Sequence, residues 1–154
     1  MKILMVCLGN ICRSPIAEGI LRQKIHDLQI EGVSTDSAGT SSYHIGEAPD
    51  ARMRQTAKSN GVNIDDLKAR QFVAQDYDEF DLIYAMDSSN FNNMIALARN
   101  EEDKNKVKLI LNEVNPGKNE AVPDPYYGGE EGFQHVFDLL DVATDVIIEK
   151  YVKR

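Results

Sequence analysis

Residues 2–7, KILMVC, form a short run that is apolar after its lysine and shows no alternation. A strand of that kind is buried on both faces, as in a parallel sheet. Such a sheet needs helices to cover it, and the chain supplies one at once. Beyond CLGNICRSP, the residues Ile16, Ala17, Ile20, Leu21, Ile25 and Leu28 recur at helical spacing, and Pro15 suits a first helical turn whose amide needs no partner. The opening therefore reads strand, loop, helix.

The alternation continues. GVSTDSAG reads as a second short strand, and APDARMRQTAKSNG as a helix with Pro near its start and Gly61 past its end. FDLIYAMD and KVKLILNEV are two further strands with SSNFNNMIALARN as the helix between them. In the last stretch Val136, Leu140, Ala143, Ile147 and Tyr151 are spaced by threes and fours, with basic residues at the C-terminal end. That is a long closing helix. Strands alternating with helices imply right-handed crossovers and an α/β fold, a parallel sheet with helices on both faces. At 154 residues and 42% hydrophobic, the chain fits one domain, residues 1–154, with a core that folds unaided.

Charge and cysteine content narrow the function. A formal net charge of -8 argues against nucleic acid or an anionic membrane as partner, since either calls for a basic face. Any anion must be held by local design. No apolar stretch approaches the roughly 20 residues of a spanning helix, and the N-terminus lacks the features of a signal peptide, so a cytoplasmic protein is expected. Cys7 and Cys12 lie too close in sequence to staple a fold, which favours reactivity over a structural disulfide. His26, His44 and His135 are scattered without ligand spacing, and no CxxC or HExxH occurs, so no metal or other cofactor is expected.

In doubly wound sheets ligands bind beyond the carboxyl ends of the strands, and CLGNICR lies at such an end. If Cys7, Leu8, Gly9, Asn10, Ile11, Cys12 and Arg13 wrap round a tetrahedral dianion, successive amides turn inward and the next helix aims its positive end at the same point. Gly9 and Asn10 help, because both tolerate left-handed backbone conformations. The same cradle stabilises Cys7 as thiolate, the form that attacks. Arg13 brings a planar fork that binds two phosphate oxygens at once, and Ser14 offers the thiolate a further hydrogen bond. Nucleophile, anion cradle and guanidinium together describe phosphoryl transfer through a phosphocysteine. The loop is not of the GxxxxGK[ST] nucleotide-binding type, since it has no lysine and lacks the glycine spacing.

Such chemistry also needs a proton donor that later acts as base. In VPDPYYGG, Asp124 is fixed between Pro123 and Pro125 and followed by Tyr126 and Tyr127. Pro, Asp and Gly are ordinary turn formers. Beside a cysteine loop, however, the segment reads as an acid next to an aromatic wall for a flat substrate.

At these residues the sequence resembles the low-molecular-weight protein tyrosine phosphatases. VCLGNICRSPIAE and DPYYG match that family's two signature segments, and DSAGT, IGEAPD, ARQF and FDLIYAMD follow its pattern in order, so the resemblance spans essentially the whole chain. It implies a four-stranded parallel sheet, no metal, Cys7 as nucleophile, Arg13 as phosphate ligand and Asp124 as acid then base, acting on phosphotyrosine proteins or aryl phosphates. It further implies that Asn10 and Ser37 shape the phosphate cradle. Two departures stand out. Many members carry a histidine just before the ARQ segment that supports the loop asparagine, whereas this chain has Leu67 and Lys68 there, so support for Asn10 must come from elsewhere. At the pocket rim, where several members place Trp, it has Tyr43 beside His44. An arsenate reductase of similar fold would need further cysteines downstream, and none follows Cys12. In a loop curled round phosphate, Cys12 could also approach Cys7 closely enough to act as a resolving thiol.

Overall fold

A computed structural model describes residues 1–152, and for Tyr127 and Glu130 the backbone alone. Four strands, β1 (Lys2–Cys7), β2 (Ser34–Gly39), β3 (Leu82–Ala85) and β4 (Val107–Leu109), form one sheet in the order β2-β1-β3-β4. Every pairing is parallel, with Cys7 opposite Gly39 and Val6 opposite Ala85. The unbroken apolar character of β1 has its reason here. Ile3, Met5 and Cys7 belong to a core on one side of the sheet, and Leu4 and Val6 to a core on the other.

The first core is closed by α1 (Arg13–Asp27), α2 (Ala51–Ser59) and α6 (Glu130–Ile147), through Ile16, Ile20, Leu21, Met53 and the Val136, Leu140, Ala143, Ile147 stripe. Each large apolar side chain buried this way contributes roughly 1.5–3 kcal/mol over its exposed state, before the entropy of ordering the chain is subtracted. α2 starts where Asp50 caps it, its carboxylate accepting from the Arg52 amide at 2.8 Å, and the chain leaves it through Gly61 at φ +79°. The second core packs Phe72, Tyr77, Phe80 and Met94 against the opposite face, with α4 (Ser88–Ile95) over β3 and β4. Helices thus cover both faces.

Three stretches differ from the sequence reading. KVKLILNEV is a strand only as far as Leu109, because Ile110 and Leu111 turn into the first core as a 3-10 turn at Ile110–Glu113. Two short helices, α3 (Asp76–Glu79) and α5 (Glu101–Lys106), lie in segments too polar to show an apolar period; α5 is marked instead by its Asn100 cap and three acidic residues in its first turn. Leu28 falls just past the end of α1 and is exposed.

Candidate active site

The carboxyl edge of the sheet gathers the chemistry. β1 ends at Cys7 and α1 begins at Arg13, so the loop between them has to close over five residues. Its carbonyls are drawn outward by backbone amides of the surrounding loops: Thr40 donates to the Cys7 carbonyl at 2.9 Å, Ser41 to that of Leu8 at 2.9 Å, and Asp50 to that of Ile11 at 2.8 Å. Asn10 takes the left-handed conformation, φ +57°, and its amide donates to Cys7 Sγ at 3.3 Å. Asparagine tolerates that conformation, and here its surroundings hold it in place.

What fixes Asn10 is its side chain, which is 2% exposed. Nδ2 donates to Ser14 Oγ at 2.8 Å and to Ser37 Oγ at 3.0 Å, while Oδ1 accepts from the Arg70 amide at 3.0 Å. With no histidine before the ARQ segment, support for Asn10 comes from two serines and a backbone amide. Ser14 Oγ in turn sits 3.0 Å from Cys7 Sγ and 3.3 Å from the Ala38 carbonyl. Asn10, Ser14 and Ser37 therefore stand behind the loop, holding its shape, and do not line the cavity in front of it.

That cavity, about 250 Å³, is lined by Cys7, Leu8, Gly9, Ile11, Cys12 and Arg13 from the loop and by Ser41, Tyr43, His44, Asp124 and Tyr126 from its surroundings. Arg13 is 3% exposed and held from two sides: Nη1 donates to Asp87 Oδ2 at 2.7 Å and to the Val122 carbonyl at 3.0 Å. Nη2 lies 3.7 Å from Asp124 Oδ2. Burial works against its charge, but Cys7, Asp87 and Asp124 outweigh it and push Arg13 above its ordinary pKa. Asp124 Oδ1 accepts from the Tyr126 amide at 3.0 Å, which fixes the carboxyl at the head of the 3-10 turn Pro125–Tyr127. Tyr126 is steadied by Arg52, whose Nη2 donates to its carbonyl at 3.1 Å and whose guanidinium carbon lies 5.4 Å from its ring centroid.

Cys12 is a buried part of the cavity wall, and burial first, then Asp50, Cys7 and Asp124, push its thiol far above the ordinary range. It is a thiol, whereas Cys7 Sγ accepts from the Asn10 amide and lies beside Ser14 Oγ. Tyr43, 81% exposed, stands at the rim, and the side chain of Tyr127 lies outside the described residues. Sequence reasoning did not single out Ser41, Asp87 or Arg52, and placed His44 at the rim only as the neighbour of Tyr43. Asp87 carried a signal, since it follows β3 at the same edge of the sheet. His44 packs close over Gly9, where a side chain's first carbon would come within 3.0 Å of its ring, and its Nδ1 is 2.7 Å from Glu47.

Residues 2–154 match the family model described as low molecular weight phosphotyrosine protein phosphatase. A putative low molecular weight protein-tyrosine-phosphatase of Synechocystis is 48% identical over 144 residues, covering 93% of this chain and 91% of that protein. The human low molecular weight phosphotyrosine protein phosphatase is 40% identical, with 97% and 94% covered. Among solved structures, a protein tyrosine phosphatase from Entamoeba histolytica superimposes with a TM-score of 0.91 at 43% identity, covering 97% of this chain and 96% of that one.

Proposed function

The chain belongs to the low molecular weight phosphotyrosine protein phosphatase family, and from that premise we propose that it hydrolyses phosphotyrosine and aryl phosphate monoesters through a phosphocysteine on Cys7. The observation that carries this reading is one cavity wall holding Cys7, Arg13 and Asp124 together, with Arg13 already paired to Asp124 at 3.7 Å.

The cradle binds the phosphate dianion by the inward side of the loop and the positive end of α1, a helix long enough to carry a dipole. Arg13, anchored by Asp87 and Val122, presents the rest of its fork to two phosphate oxygens. Cys7 Sγ, stabilised by the Asn10 amide and Ser14 Oγ, attacks phosphorus as the bond to the leaving oxygen breaks, and Asp124 gives its proton to that oxygen. Asp124, now a carboxylate, takes a proton from water. The hydroxide equivalent attacks phosphorus, the sulfur–phosphorus bond breaks, and phosphate and thiolate are released. Because the charge on the transferring group is spread over its equatorial oxygens, the preformed donors do most of the work.

Substrate class follows from the wall. Tyr126 packs on a flat ring, and phenolates leave more readily than alkoxides. No described helix is long and apolar enough to cross a membrane, and a reducing compartment such as the cytoplasm suits a chain whose Cys7 and Cys12 are both free. Hydrolysis of p-nitrophenyl phosphate in the presence of a chelator tests the reading. Turnover should vanish in Cys7→Ser with the fold intact and drop steeply in Asp124→Ala. Hydrolysis retained above background by Cys7→Ser would overturn it.

A further inference from the structure

Behind the cradle the hydrogen bonds run on to a group that the chemistry above does not use. Glu18, on the second turn of α1, is 5% exposed, and its Oε1 accepts from Ser37 Oγ at 2.7 Å. Ser37 Oγ accepts from Asn10 Nδ2 at 3.0 Å, and the same amide nitrogen donates to Ser14 Oγ at 2.8 Å, which lies 3.0 Å from Cys7 Sγ. The donor directions in this chain are not independent. An ionised Glu18 can only accept, so Ser37 must give it its one proton and is left to accept from Asn10. Asn10 then spends both amide protons, one on Ser37 and one on Ser14, so Ser14 Oγ is held as an acceptor and its single proton is shared between the sulfur at 3.0 Å and the Ala38 carbonyl at 3.3 Å. A neutral Glu18 no longer fixes that orientation: it can donate to Ser37, whose own proton is then released from the carboxyl group and can turn toward Asn10 Nδ2, breaking the bond from the amide.

We propose that Glu18 is a positioning residue, and that its ionisation sets how firmly Ser37 and Asn10 hold the anion-binding loop. This rests on the assignment of Cys7 as nucleophile. Asn10 is where such a device has leverage, since its buried side chain ties the left-handed turn of the loop to Ser14, Ser37 and the Arg70 amide.

The surroundings of Glu18 place its titration within reach of physiological pH. Burial pushes its carboxyl up to about 7; the bond from Ser37 opposes the shift, Asp36 of β2 adds to it, Arg22 of α1 opposes it and Asp66 of the loop after α2 adds to it. Arg22 gives little relief, because it forms a two-pronged pair with Asp66 at 2.9 Å on each prong. The neighbouring loop meets α1 with apolar groups, Val62 and Ile64 at Gly19, and Leu67 packs into the same core.

The test is the ratio of kcat/KM for p-nitrophenyl phosphate between the wild type and Glu18→Gln across pH. The ratio cancels the titration of the substrate, which is common to both enzymes. It should be near one at about pH 5.5, where the wild type also carries a neutral group, and climb through 7 to about tenfold at about pH 8.5, the worth of one hydrogen bond. Should Glu18→Gln fail to fold, Ser37→Ala cuts the chain while leaving the carboxyl in place, and the wild-type ratio to it should show the same climb. A ratio independent of pH, in an enzyme that Cys7→Ser inactivates, overturns the role of Glu18 and leaves the phosphocysteine mechanism standing. Activity that survives Cys7→Ser overturns both.

Discussion

Asp87→Asn is a small change with a consequence that can be worked from the bonds it breaks. Both oxygens of Asp87 accept: Oδ2 takes the Arg13 Nη1 proton at 2.7 Å, and Oδ1 caps α4 by taking the Asn90 amide proton at 2.8 Å. Asparagine has one oxygen for these two donors. If it stays with Asn90, an NH2 group faces the guanidinium and a charge-assisted bond worth roughly 1.5–3 kcal/mol is lost. If it turns to Arg13, the helix cap goes, at about 1 kcal/mol, and the remaining bond to Arg13 is the weaker neutral one. In either case Arg13 loses its nearest negative partner while 3% exposed, so its fork is less well held for phosphate. Urea unfolding should show a loss of about 1–3 kcal/mol, and kcat/KM for p-nitrophenyl phosphate should fall by about 10- to 100-fold, with inorganic phosphate a weaker competitive inhibitor. Stability and kcat/KM both within twofold of the wild type would refute the idea that Asp87 anchors Arg13.

Three further outcomes follow from the same geometry. Brief peroxide should inactivate the enzyme reversibly through a Cys7–Cys12 disulfide, with dithiothreitol restoring the wild type but not Cys12→Ser; peptide mapping without that disulfide returns Cys12 to a packing role. Glu18 should make stability depend on pH. Its folded pKa, about 7, lies above the ordinary 4.5, so the stability it contributes is fully present below about 4.5 and is lost as pH rises through 7, by up to about 3 kcal/mol. Unfolding curves of Glu18→Gln and the wild type should therefore diverge in the variant's favour between pH 5 and about pH 8, and parallel curves would show that Glu18 does not titrate there. Tyr126→Ala should lower kcat/KM for phosphotyrosine about tenfold and for an alkyl phosphate hardly at all, and equal losses would remove the aromatic wall.

How much of this was legible in the residues depends on range. β1, the loop after it and α1 were readable because an apolar strand, a Gly-Asn turn and Ser-Pro at a helix start are local signals, and the buried stripe of α6 declared itself by its period. β4 was read too long because Ile110 and Leu111 are as apolar as a strand, and only the position of α6 explains why the chain turns there. Residues 74 apart, Arg13 and Asp87, meet because β3 lies beside β1 in the sheet, an adjacency that no local pattern encodes. The same holds for Glu18, which in sequence is one polar residue near the start of a helix and in space is the buried end of a chain of hydrogen bonds to the nucleophile. An ionised carboxylate there costs stability, a cost that a working site can carry when order at the nucleophile is the return.

The central claim is that phosphate passes through the sulfur of Cys7. The most direct measurement is acid quench of Asp124→Ala during turnover of p-nitrophenyl phosphate, followed by mass spectrometry of its peptides. With the base for water removed, the intermediate should accumulate, and one phosphoryl group should be found on the peptide carrying Cys7, at the sulfur and not on Ser14. A phosphoryl group on any other residue, or product released with none trapped while the burst of p-nitrophenol is present, would contradict the account.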